Sequence, residues 1–117
     1  MGRLTTHVLD TAHGTPAAGM QIDLFRLENA GRVPLKIEQT NADGRVGVPL
    51  LEGDALTEGL YELEFHVGRY FRGLGLDLPQ PGFLEVVPVR FGVADAQAHY
   101  HVPLLVSPYG YSTYRGS

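Results

Sequence analysis

The segment YELEFHV, residues 61–67, decides how this chain is read. Tyr61, Leu63, Phe65 and Val67 fall on one side of an extended backbone, and Glu62, Glu64 and His66 fall on the other. Side chains of a β-strand alternate with a period of two. A half-buried strand therefore accounts for the pattern, whereas a helix would mix the two sets on each face. The same period recurs along the chain. Leu4, Thr6 and Val8 alternate with Thr5, His7 and Leu9; Met20, Ile22 and Leu24 alternate with Gln21, Asp23 and Phe25. Phe83, Glu85, Val87, Val89, Phe91 and Val93 alternate with Leu84, Val86, Pro88 and Arg90, and Pro88, which has no N–H for a ladder, predicts an edge strand or a bulge there.

Turn residues separate these strands. DTAHGTPAAG carries Gly14, Pro16 and Gly19. A strand near Lys36 to Thr40 meets Asn41-Ala42-Asp43-Gly44, which predicts a hairpin loop with Arg45 opening the return strand. EGDAL supplies one helical turn at most, and GRYFRGLGLDLPQPG one short helix around Arg69 to Leu74. Asp95 to Gln97 reads as a turn, and two final strands, about Ala98 to Val106 and Tyr111 to Arg115, flank SPYG. The expected class is all-β: an antiparallel two-sheet β-sandwich of seven to eight strands with at most one short helix.

At 117 residues, residues 1–117 form one expected domain, because a second core would lack the chain to close around it. A hydrophobic fraction of 44% with 19% charged residues describes a chain that collapses and folds. The net charge of −4 sets nucleic acid aside as a partner, since phosphate binding needs a basic face. No apolar run predicts a membrane span or a secretory leader, and the last residues are not a peroxisomal tripeptide, so a cytoplasmic location is expected. The chain has no cysteine, hence no disulfide, thiolate ligand or thiol nucleophile.

Reactive side chains concentrate in histidine and arginine. His99 and His101 are two residues apart and share one strand face, with Tyr100 and Val102 on the opposite face. Such an imidazole can act as general base or acid near neutral pH, and a neighbouring arginine keeps it uncharged. His7 and Arg45 are the candidates to complete the cluster. A partly exposed strand histidine and a solvated hairpin arginine are the ordinary readings of those two residues, and His13 and His66 stay in that ordinary class. The His-x-His spacing would also suit zinc or copper, but no third ligand is marked and no metal is expected. Tyr109, Tyr111 and Tyr114 are equally compatible with core or interface packing. From pattern alone, the reading stops at a small β-sandwich with a His/Arg site.

Three segments extend it. LTTHVLDTAHGTPAAG at the start, TNADGR in the middle and HYHVPLLVSPYGYSTYRGS at the end together resemble the 5-hydroxyisourate hydrolases, the transthyretin-related enzymes of urate breakdown. The likeness spans essentially the whole chain. Tyr-Arg-Gly-Ser at the end is its most specific piece, because transthyretin, the hormone carrier of the same fold, lacks it. The resemblance implies a homotetramer of transthyretin-like sandwiches with sites in a central channel at subunit interfaces. It implies hydrolysis of the ring amide of 5-hydroxyisourate to 2-oxo-4-hydroxy-4-carboxy-5-ureidoimidazoline, with no cofactor. Carried over by position, His7, Arg45, His101 and Ser117 are the implied catalytic residues, and His7, Arg45, Tyr114, Arg115 and Gly116 bind substrate. His99, adjacent to them, is a further candidate for binding. The GLGLDLPQPG and RFGVADAQA stretches depart from the family and carry none of these residues. A non-catalytic carrier of small aromatic ligands is the alternative.

Overall fold

The computed structural model describes residues 1–117. Nine strands and one helix follow in the order β1 (Arg3–Asp10), β2 (Thr15–Pro16), β3 (Gln21–Glu28), β4 (Gly31–Gln39), β5 (Leu51–Glu52), β6 (Gly59–Phe65), α1 (Val67–Gly73), β7 (Val87–Val93), β8 (His99–Ser107) and β9 (Gly110–Thr113). A single 3-10 turn, Gly53–Ala55, is all that EGDAL forms. One sheet has the order β2-β1-β8-β9 with β5 also on β1; the other has the order β4-β3-β6-β7. Seven strands carry the two sheets, and β2 and β5 are two-residue strips on the flank of β1. No helix is long and apolar enough to cross a membrane.

The period-two faces of the sequence become the core. Leu4 and Val8 of β1 and Leu104 and Val106 of β8 meet Ile22 and Leu24 of β3 and Leu63 and Phe65 of β6, all essentially inaccessible. Each such side chain contributes about 1.5–3 kcal/mol by leaving water, which is why the alternation holds the two sheets face to face. The opposite parity points away from the core. On the first sheet it leaves Arg3, Thr5 and His7 of β1 and His99 and His101 of β8 on the outer face.

Four local expectations are corrected by the backbone. The β1–β8 pair runs parallel, with Thr5 opposite His101 and Val8 opposite Leu104, so the sandwich is antiparallel in every strand pair but this one. Arg45 opens no return strand: after β4 the chain crosses to the other sheet, where Val8 N–H donates to Gly44 O at 2.8 Å and Arg45 makes a single bridge to His7. The strand into that turn is longer than Lys36 to Thr40, running from Gly31 to Gln39, with a register shift opposite Leu24 and Phe25. The strand expected from Phe83 starts only at Val87, because Glu85 is claimed by the helix. Pro88 does lie on an edge strand, β7 being last in its sheet.

The helix clamp is specific. Arg72 of α1 donates through Nη1 and Nη2 to the two carboxylate oxygens of Glu85, at 2.5 and 3.0 Å, and the Gly82 N–H donates to the same carboxylate. Arg72 first, and then the Gly82 amide, hold the Glu85 carboxyl down to about 2 from its ordinary 4.5. A carboxyl depressed on folding adds stability that is complete above its unfolded value and disappears as pH falls through the folded one. Acid titration of unfolding free energy is therefore expected to show a loss between about pH 4.5 and pH 2, flattened in Arg72→Met. An unchanged slope in that variant would show that the clamp is not the source.

A histidine cavity on the outer sheet face

The site begins with strand parity and register. Parallel pairing sets Arg3 beside His99 and Thr5 beside His101, and a neighbouring strand pair shows such residues on the same face. Thr5 Oγ1 lies 2.9 Å from His99 Nε2 and 2.8 Å from His101 Nδ1. The two imidazole centroids are 6.3 Å apart, with planes inclined at 54°.

Arg45 reaches the same place by turn chemistry. Asn41 Oδ1 accepts from the N–H groups of Asp43 and Arg45, and Asn41 N–H donates to Arg45 O at 2.8 Å. An asparagine side chain that substitutes for a backbone acceptor in this way fixes a tight turn. Gly44 carries the turn at φ +74°, and a Cβ there would collide with Val8 O. The turn is thus pinned against β1, and Arg45 follows it onto His7.

The tail supplies the last wall. Gly116 N–H donates to His101 O at 2.8 Å and forms a bridge with that residue, so the chain passes flat against the imidazole. A Cβ at Gly116 would stand 2.5 Å from His101 Cδ2, which is why glycine is required. Arg45, His99, His101 and Ser117 surround an open cavity of about 340 Å³, together with Arg3, Thr5 and the 46–49 segment. His7 lies on the same outer face of β1 but does not line the cavity; it acts on His101 by disfavouring the imidazolium there.

Charge sets the state of His101. Its pKa is lowered, first by burial and then by the Arg45 guanidinium and the imidazoles of His99 and His7. Each of these penalises the imidazolium, so the ring is a neutral base at physiological pH. Of the eight residues expected at the site, Arg45, His99, His101 and Ser117 line the cavity, His7 and Gly116 adjoin it through Arg45 and His101, and Tyr114 and Arg115 lie elsewhere. They line a separate, more apolar cleft of about 300 Å³ on the other side of β8, with Val89, Phe91, Tyr100 and Val102. There the Arg115 guanidinium sits 4.1 Å over the Tyr100 ring and donates to His99 O at 3.2 Å, tying the tail down from behind.

The remaining histidines are held against carboxylates away from the cavity. His13 Nδ1 lies 2.7 Å from Asp10 Oδ2, and His66 Nε2 lies 3.1 Å from Asp23 Oδ2. Asp10 is fully buried and also accepts from the Tyr70 hydroxyl at 2.8 Å; burial and that carboxylate push the Tyr70 pKa up. A buried charge deprived of its partner costs about 3–5 kcal/mol, which makes this a framework element. Thr5 and Arg3 are cavity residues that parity placed on the right face of β1 but that sequence alone could not set beside the histidines.

Residues 4–116 match the HIUase/Transthyretin family. The chain belongs to that family. It is 65% identical to 5-hydroxyisourate hydrolase 2 of Rhizobium meliloti, over 99% of this chain and 97% of that one. Among solved structures it superposes on the 5-hydroxyisourate hydrolase of Klebsiella pneumoniae with a TM-score of 0.83 at 34% identity, each chain covering all of the other. It also superposes on (S)-allantoin synthase with a TM-score of 0.93 at 47% identity, over 99% of this chain and 44% of that longer one. The fold is therefore transthyretin-like.

The close passage of the tail is open to test. Gly116→Ala is expected to leave thermal unfolding near that of the native protein while exposing the amide at position 116 to rapid hydrogen exchange and shifting the His101 ring resonances. Retained protection at 116 with unmoved ring signals would contradict the flat contact.

Proposed function

We propose that this protein is a 5-hydroxyisourate hydrolase that opens the ring amide to 2-oxo-4-hydroxy-4-carboxy-5-ureidoimidazoline in urate breakdown. The observation that carries the reading is His101, an imidazole kept neutral beside an arginine in an open cavity. The 65% identity to a protein named for this activity supports the choice of substrate.

The chemistry needs three things, and the cavity offers a group for each. Water must lose a proton as its oxygen bonds to the carbonyl carbon, and neutral His101 is the proposed acceptor. Negative charge then develops on the carbonyl oxygen. The Arg45 guanidinium, always charged and rich in donors, is the proposed stabiliser. The carbon–nitrogen bond breaks as the departing ring nitrogen takes up a proton, and the imidazolium formed in the first step can return it, directly or by way of His7. Ser117 holds the water or a substrate oxygen. His99 and Gly116 complete the binding surface, while Tyr114 and Arg115 contribute by anchoring the tail that carries Gly116 and Ser117.

We further propose a homotetramer with sites at subunit interfaces. The cavity lies on an outer sheet face and is open to solvent, whereas electrostatic catalysis gains most where water is excluded. A facing subunit would supply the missing wall. On the adjoining flank, β7 and β9 end their sheets beside one cleft, and all of β9 is exposed.

Freshly generated 5-hydroxyisourate provides the direct test. The protein is expected to accelerate its decay well beyond buffer and yield an optically active product, and His101→Ala or Arg45→Ala to reduce kcat by about 100-fold or more with assembly intact. Saturable binding without turnover would instead identify a transthyretin-like carrier.

A further inference from the structure

Thr5 is within hydrogen-bond distance of both cavity histidines. Its hydroxyl lies 2.9 Å from His99 Nε2 and 2.8 Å from His101 Nδ1. A hydroxyl has one proton to donate and accepts through its lone pairs. For both contacts to be hydrogen bonds between neutral groups, one of these nitrogens must carry a proton and the other must be bare. The two imidazoles are therefore locked to each other in tautomer. In one arrangement Thr5 donates to His101 Nδ1, the His101 proton sits on Nε2, and that ring offers no base. In the other, His101 Nδ1–H donates to Thr5, Thr5 donates to His99 Nε2, and His101 Nε2 is left with a free lone pair.

We propose that Thr5 is a positioning residue that holds His101 in the second arrangement and relays a proton between His101 and His99. The proposal rests on the hydrolase reading of the cavity. The relay balances without a further reactant. When His101 Nε2 takes a proton from the attacking water, the Nδ1 proton passes to Thr5 Oγ1 as the Thr5 proton passes to His99 Nε2. His101 ends neutral with its proton on Nε2, and the positive charge resides on His99. The reverse movement restores both rings when the leaving nitrogen is protonated.

The surroundings explain why a relay has value. His101 is faced by His7 from β1, by Arg45 from the turn after β4 and by His99 from its own strand, and Arg3 of β1 lines the same cavity. No carboxylate side chain lines it. An imidazolium at His101 is the costly state of the cycle, because burial, Arg45 and the His99 and His7 rings oppose it. Moving that proton one ring away through the shared hydroxyl removes charge from the ring whose imidazolium Arg45 opposes. Register gives the device its geometry: in the β1–β8 pair Thr5 lies opposite His101 and one pleat from His99.

Thr5→Val keeps the shape and deletes the hydroxyl, and Thr5→Ser keeps the hydroxyl. In Thr5→Val, kcat is expected to fall about 100-fold, the lower range for a positioned acid–base group, with KM little changed. Thr5→Ser is expected to restore most of the rate. Imidazole nitrogen-15 spectra of the unliganded native protein should show His101 protonated at Nδ1 and bare at Nε2, with both rings passing to mixed tautomers in Thr5→Val. The acid limb of the pH–rate profile should shift in Thr5→Val and return in Thr5→Ser. Native turnover and tautomers in Thr5→Val, a Thr5→Ser rate as low as that of Thr5→Val, or a native His101 protonated at Nε2 would each overturn the proposal. A native protein inactive on 5-hydroxyisourate would overturn the substrate assignment, while the spectra would still decide the tautomer lock.

Discussion

Everything that matters in this protein depends on the parallel pairing of β1 with β8. Eight successive residue pairs join the two strands, from Arg3 and His99 to Asp10 and Val106. Because the pairing is in register, the inner parity of both strands enters one core and the outer parity of both forms one polar surface. A slip of one residue would bury Thr5 and His7 and expose Leu4 and Val8, so the hydrophobic effect that closes the sandwich also aligns the cavity. Stability and chemistry share a single alignment.

That cavity is an unusual electrostatic object. Two histidines and two arginines line a cavity whose side chains include no carboxylate, and the imidazoles can share it because they can be neutral. Several acidic side chains are instead paired elsewhere: Glu62 and Glu64 with Arg32, Glu85 with Arg72, Asp10 with His13 and Tyr70. The cavity thus combines two always-charged guanidinium groups with imidazoles able to accept a proton. Such a balance suits an anionic transition state better than an anionic ground state, since the arginine donor is fixed before charge develops.

The strands and the shared face of His99 and His101 were legible because period-two alternation follows directly from strand geometry, and Tyr61, Leu63 and Phe65 are buried as that pattern requires. The direction of the β1–β8 pair was not legible, because alternation reports which face a residue takes and not which strand lies next to it. Thr5 was lost for that reason. The Asn41–Gly44 turn was recognised as a turn, but its destination depends on a long-range bond from Val8 that no local signal encodes. Glu85 fitted the alternation as a strand residue and was taken out of it by a side chain on the helix, Arg72. The separation of Tyr114 and Arg115 from the rest of the tail follows from the return of Gly116 to His101, again a tertiary contact.

The two flanks of the sandwich are unequal. On one, β4 carries Pro34, Lys36 and a register shift, and the outer edge of β1 is covered by the two-residue strips β2 and β5. Proline, lysine and irregular pairing are what discourage an exposed edge from templating another chain. On the other flank, β9 presents a regular and uncovered edge. The regular, uncovered edge is thus confined to one flank. Strand addition at β9 would join two copies back to back and leave only the guarded edges outermost, so growth in that direction terminates after a single step instead of running on into a fibre.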